Sequence, residues 1–170
     1  MSTDWRSTLL AFDASSIIYA WDNYPPEQFP PLWQWLGDEV QRREIRISEV
    51  AFEEVKRHEP ECADWLSANM VEKVGISNAV VSEAIRIKRL LGISEDQYHA
   101  KGVGENDLLI IACARVNGDR LISNEGRQNQ IPKVRARMKI PAVCDLEEVA
   151  VPCLDFLDLI RESGKVFGNS

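Results

Sequence analysis

The chain has 170 residues, 45% of them hydrophobic, and a formal net charge of −7. That length and apolar content predict one domain over residues 1–170 with a sizeable core, and the acidic balance opposes nucleic-acid binding through bulk charge alone. No run approaches the roughly 20 apolar residues of a membrane span, and residues 1–6 lack the charged-then-apolar pattern of a secretory leader, so a cytoplasmic location is expected.

Residues 9–12, Leu-Leu-Ala-Phe, read as a short first strand buried on both faces. Ser15 or Ser16 can cap the helix that follows through Ile17, Ile18, Tyr19, Ala20 and Trp21. Pro25-Pro26 and Pro30-Pro31 bracket a turn, and the second pair suits the start of a helix through Leu32, Trp33, Trp35, Leu36 and Val40. Ile45-Arg46-Ile47 is a brief strand; Ser48 then caps a helix to about His58, and Pro60 opens a further segment towards Met70. Ser77 or Asn78 starts a helix that ends at Gly92. A short helix is expected over residues 94–99. Glu105-Asn106-Asp107 opens an apolar helix that stops at Asn117-Gly118. Residues 120–123 and 141–144 read as the last two strands, with a terminal helix over 154–160. Strands alternating with helices predict an α/β fold: a three-layer α/β/α sandwich around a mainly parallel sheet.

In such a sheet, acids that follow strands meet at the carboxyl edge, where open α/β folds build their sites. Asp13 ends the first strand, and its bland reading is a turn or helix-cap aspartate. Glu54 falls four residues after Val50, on the edge of an apolar helical face, whereas Glu49, Glu53 and Arg57 share a solvated one; Glu53 is its competitor. Asp107 stands where a helix dipole favours any acid, a purpose Glu105 or Asn106 could serve, but the helix behind it is apolar nearly all round and should carry it inward. Glu125 follows the strand at 120–123, and neighbouring Asn124 could take its place. Like charges packed together repel, so a cluster of this kind calls for a hard cation. Zinc has little support: Cys62, Cys113, Cys144 and Cys153 include no Cys-x-x-Cys pair, and His58 and His99 lie far apart. Buried free thiols are expected, with Cys144 in a strand.

The order of these residues resembles the PIN-domain nucleases. Asp13-Ala14-Ser15 matches that family's strand ending in Asp-x-Ser. Ile47-Ser48 through Glu54-Val55 matches its capped helix, Asp107 with Ile110-Ile111-Ala112-Cys113-Ala114 its acid-opened apolar helix, and Ser123-Asn124-Glu125 its Thr-x-Asp strand end. The resemblance spans about residues 9–145. It implies a PIN-like fold and a Mg²⁺- or Mn²⁺-dependent ribonuclease, often the toxin of a toxin–antitoxin pair. RNA would be the substrate, an antitoxin protein and a second copy would be partners, and no membrane would be involved. Asp13 and Asp107 would be the central metal ligands. Glu54 would bind metal or handle the proton of water, and Glu125 would complete the catalytic set. Ser15, Ser123 and Asn106 would support these acids through hydrogen bonds. Glu125 departs from the commoner Asp or Asn of the family.

Three further features carry alternatives. Between Arg115 and Lys139 the chain is strongly basic, so Arg127, Lys133, Arg135 and Arg137 are candidates for an RNA backbone, against an ordinary solvated helix face. Trp33 and Trp35 stand two residues apart on a helix and should not both enter one core face; one is a candidate dimer or antitoxin contact, against shielding of a local core. A haloacid-dehalogenase phosphatase also places Asp after its first strand, but needs a second acid where Ser15 stands. The non-enzymatic alternative is a PIN-like RNA-binding or protein-interaction module with a weak or silent site.

Overall fold

A computed structural model describes residues 8–168, so the leader reading at residues 1–6 lies outside the described residues. Strands β1 (Leu10–Phe12), β2 (Ile45–Ser48), β3 (Lys73–Val74), β4 (Arg120–Ile122) and β5 (Cys153–Leu154) form one sheet in the order β3-β2-β1-β4-β5. Every pairing is parallel, with Phe12 opposite Ile47 on one side and Ile122 on the other. The helices are α1 (Ala14–Asn23), α2 (Pro30–Gln41), α3 (Glu49–His58), α4 (Pro60–Ala68), α5 (Asn78–Leu90), α6 (Glu105–Asn117), α7 (Ile140–Asp145) and α8 (Phe156–Ser163). The result is the three-layer α/β/α sandwich of PIN-like architecture.

β1 sits at the centre, and all three of its residues are buried. Helices cover both faces, so a central parallel strand has no polar side to show. Helix α1 packs with α3, α4 and α8, and α6 packs with α5, α7 and β4. Helix α3 also touches α6. Ser48 caps α3 by accepting the Ala51 N–H at 3.1 Å, and Gly118 closes α6 in the left-handed conformation (φ 70°), which costs glycine no Cβ clash. Among the described residues no helix is long and apolar enough to cross a membrane.

Several local expectations are corrected. Residues 141–144 are not a strand but belong to α7, where Pro141 stands in the first turn and its missing N–H is harmless. A short apolar run fits a buried strand or a buried helix equally well, and here the final strand is β5. Cys144 is therefore helical; all four cysteines are free thiols, three of them buried. Residues 94–99 form turns rather than a helix, with Glu95 at φ 49°. The terminal helix starts at Phe156 because Asp155 and Asp158 cap it reciprocally. Helix α1 is preceded by Asp13 as its N-cap residue, not by Ser15 or Ser16. The basic run around 133–139 holds only a one-turn 3-10 segment, Arg135–Arg137, rather than a helix face.

Both tryptophans shield local core, the alternative set against a dimer or antitoxin contact. Trp33 and Trp35 are both buried. Trp33 stacks edge-on against Trp21 and Trp65 (5.3 and 4.8 Å between centroids) and donates its indole N–H to the Tyr24 carbonyl; Trp35 meets Phe167 at 5.6 Å. The carboxyl-terminal segment supplies a second apolar surface, so two helical faces are covered instead of one.

A structural ion pair escaped sequence reading. Arg46 on β2 reaches across the small Ala11 of β1 to grip Asp119 with two hydrogen bonds of 2.9 and 2.8 Å. Asp119 is buried beneath α6, and Glu72 adds a longer contact at 3.6 Å. This two-pronged pairing raises the Arg46 pKa and locks β2 to β4 across the central strand.

Candidate active site

The order of the strands reverses between β1 and β4, which opens a crevice beyond their carboxyl ends. Asp13 leaves β1 there, with its N–H held by the Ile122 carbonyl at 2.8 Å. It is only 2% exposed. Ser15 and Ser123 both donate to the same carboxylate oxygen, Oδ2, at 2.5 and 3.0 Å. Ser15 in turn accepts the Asn124 N–H at 2.9 Å, so the hydroxyl's one proton is directed at Asp13. Burial nevertheless dominates and pushes the Asp13 pKa up to about 7, with Glu125 and Asp107 adding like-charge repulsion.

The other three acids come from separate segments. The contact between α3 and α6 brings Glu54 near Asn106, whose amide favours the ionised carboxylate. Burial and nearby Asp107 still raise the Glu54 pKa. Glu53, its competitor in sequence, is exposed. Asp107 accepts the Gly104 N–H at 2.9 Å, so it does serve as a helix-capping acid, yet burial raises its pKa as well. Glu125 accepts the Ile140 N–H at 3.1 Å; burial raises its pKa first, and repulsion from Asp107 and Glu54 adds to this against the pull of Lys139. Asn124 is committed elsewhere: its side-chain oxygen accepts the Phe156 N–H at 2.9 Å and anchors the start of α8.

All four carboxylates thus sense at least one of the others electrostatically. They are not drawn into a tight knot. Among the described residues, no three His, Cys, Asp or Glu side chains gather closely enough to enclose a metal ion. The physical reason lies in the hydrogen bonds just described. One oxygen each of Asp13, Asp107 and Glu125 is tied to a local donor, and mutual repulsion discourages closer approach.

The loop before α6 and the basic segment are fastened together. Val103 N–H donates to the Met138 carbonyl at 2.9 Å, and Gly102 lies so close to Ala136 that a Cβ there would sit 1.9 Å from its carbonyl oxygen. Only glycine permits this approach, which sets the Asp107 loop against the segment leading to Ile140. Of the predicted basic residues, Arg127 donates to the Cys153 carbonyl at 3.2 Å and Arg135 lies 3.7 Å from Glu148, while Lys133 and Arg137 are exposed.

The fold is a PIN-like α/β/α sandwich, with an acidic crevice at its topological switch point. More particularly, the chain belongs to the family described as "Domain of unknown function (DUF4411)", whose model matches residues 10–167. Among solved structures it is similar to VapBC2 from Rickettsia felis bound to a DNA fragment from their promoter, at 15% identity and TM-score 0.50, covering 77% of this chain and 96% of that one. PAE2754 from Pyrobaculum aerophilum also matches, at 13% identity and TM-score 0.45, covering 93% and 97%. No curated protein matches.

Proposed function

We propose that this PIN-like module is a metal-dependent endoribonuclease that hydrolyses RNA phosphodiesters at Asp13, Glu54, Asp107 and Glu125. The observation that carries the reading is the convergence of four acids from separate segments, with burial raising the pKa of each and like-charge repulsion adding to it at Asp13, Glu54 and Glu125. Such an arrangement opposes folding, and function is the usual reason a chain keeps one.

The donor set fits a hard cation, because it offers carboxylate oxygens and no nitrogen or sulfur. Mg²⁺ keeps several waters and takes only one or two carboxylates, so a looser acidic crevice suits it better than a closed cage would. Asp13 and Asp107 would hold the ion, Asp13 through the oxygen that its two serines leave unused. When bound, Mg²⁺ or Mn²⁺ supplies Lewis-acid stabilisation of charge on the phosphate and makes water more acidic. Glu54 and Glu125, made more basic by burial, are suited to accept the proton of the attacking water. Ser15 and Ser123 hold Asp13 in place by hydrogen bonds, and Asn106 favours the ionised form of Glu54. Arg127, Lys133, Arg135 and Arg137 would meet the RNA backbone and offset the acidic total. The likeness to VapBC2 supports a protein partner of the antitoxin kind, and a homodimer follows from the family resemblance alone.

A second reading stays nearer to the findings: a PIN-like module that binds RNA or protein with a weak or silent site. The lack of a tight three-ligand cluster among the described residues favours it. Cleavage of mixed structured and single-stranded RNA in Mg²⁺ or Mn²⁺ separates the two. Activity lost with chelator and in both Asp13→Asn and Asp107→Asn supports the nuclease. Metal-independent RNA retention without cleavage, undiminished in Asp13→Asn, supports the module.

A further inference from the structure

Beside the acidic crevice lies a cavity of about 410 Å³ that the four acids do not use. It shares both of its walls with Glu125. One wall is the loop that leaves Glu125 through Arg127 and Asn129; the other is α7, whose first N–H holds the Glu125 carboxylate. Gln128 braces the loop, donating to the Arg137 carbonyl at 3.1 Å and accepting the Lys139 N–H at 3.0 Å. A side chain that bonds both ways to backbone fixes the loop before any ligand arrives.

The lining is chemically mixed. Ile131, Pro141 and Leu146 supply apolar surface, Arg127 a cation, Asn129 an amide and Asp145 a carboxylate. Its volume falls in the range of roughly 300–1,000 Å³ typical of small-molecule sites, with a few polar groups on an apolar lining. Ile131 is 70% exposed at the rim, an apolar surface that a flat ring would cover.

We propose that this cavity is a nucleotide subsite that takes the base next to the phosphate held at the carboxylates, and that Asp145 reads it. The inference rests on the nuclease reading for its biological sense but not for its test. The base would lie against Ile131 and Pro141, and Arg127 would meet the adjoining phosphate. A carboxylate accepts hydrogen bonds, so Asp145 favours bases with an exocyclic amine, namely cytosine, adenine and guanine. Uracil offers a carboxylate only its N3–H, which stands between two carbonyl oxygens that repel the acid.

The test titrates CMP, AMP, GMP and UMP into the full wild-type chain in chelator, following backbone amide resonances. CMP, AMP and GMP are expected to shift the resonances of residues 127–131 and 142–146, with UMP binding at least about fivefold more weakly. Asp145→Asn, at an exposed position, is expected to bring all four within about twofold by restoring a donor for uracil. Ile131→Ser is expected to weaken all four alike. The proposal is overturned if no nucleotide shifts the cavity resonances, if the shifts map to the acidic crevice instead, or if Asp145→Asn leaves the ranking unchanged. RNA cleavage is measured separately. Nucleotide binding without cleavage counts against the nuclease alone, and cleavage without nucleotide binding counts against the subsite alone.

Discussion

Replacing Asp13 by Asn should make the metal-free protein more stable at neutral pH, and the size of the effect can be worked out. The Asp13 pKa moves from 3.8 to about 7 on folding, chiefly through burial. At about 1.4 kcal/mol per unit, a shift of roughly 3 units amounts to about 4 kcal/mol. Because the folded-state value is raised, the folded protein keeps a proton that the unfolded chain has already released. Stability therefore falls as pH rises from about 4 to about 7, by up to about 1.4 kcal/mol per pH unit, and is flat above. Asn carries no charge at any pH and still accepts hydrogen bonds from Ser15 and Ser123, so its stability should lack this slope.

The assay is urea unfolding of both chains in chelator at several values between about pH 4.5 and pH 8. The advantage of Asp13→Asn should grow across that window towards about 4 kcal/mol, an upper bound because the Asn amide must also find a place. A divalent cation adds a second arm. At about 100 times its Kd, Mn²⁺ should stabilise wild type by about 2.7 kcal/mol and Asp13→Asn far less. A variant no more stable than wild type at about pH 8 would refute the premise that Asp13 is held against its charge.

Two further outcomes are expected. Ser15→Ala removes a hydrogen bond that favours ionised Asp13, so its pKa should rise further and Mn²⁺ binding should require higher pH; isothermal titration across pH reads the shift, expected at about 1 unit or more for a charged hydrogen bond of about 1.5–3 kcal/mol. Arg46→Ala leaves Asp119 buried without its main partner and should lower stability by about 3–5 kcal/mol, whereas the paired change Arg46→Met with Asp119→Leu should restore much of the loss in urea unfolding.

What the sequence determined by itself is the sheet's centre and the acids attached to it. An all-apolar strand ending in Asp13, a Ser48 cap, an apolar helix opened by Asp107 and a strand ending before Glu125 are local patterns, each written in consecutive residues. Glu54 could be separated from Glu53 because helical phase alone puts one at the buried edge and the other in solvent.

Only the tertiary structure decided the rest. Whether residues 141–144 are strand or helix depends on what packs against them, because four apolar residues satisfy either period. The burial of both Trp33 and Trp35 required Phe167, which lies far along the chain. Arg46 and Asp119 meet only because β1 lies between their strands with a small Ala11 at the crossing. The acids' spacing likewise depends on which backbone donors claim their oxygens, and those donors belong to loops brought together by folding. Local patterns fix where a side chain can begin; distant contacts fix where it ends.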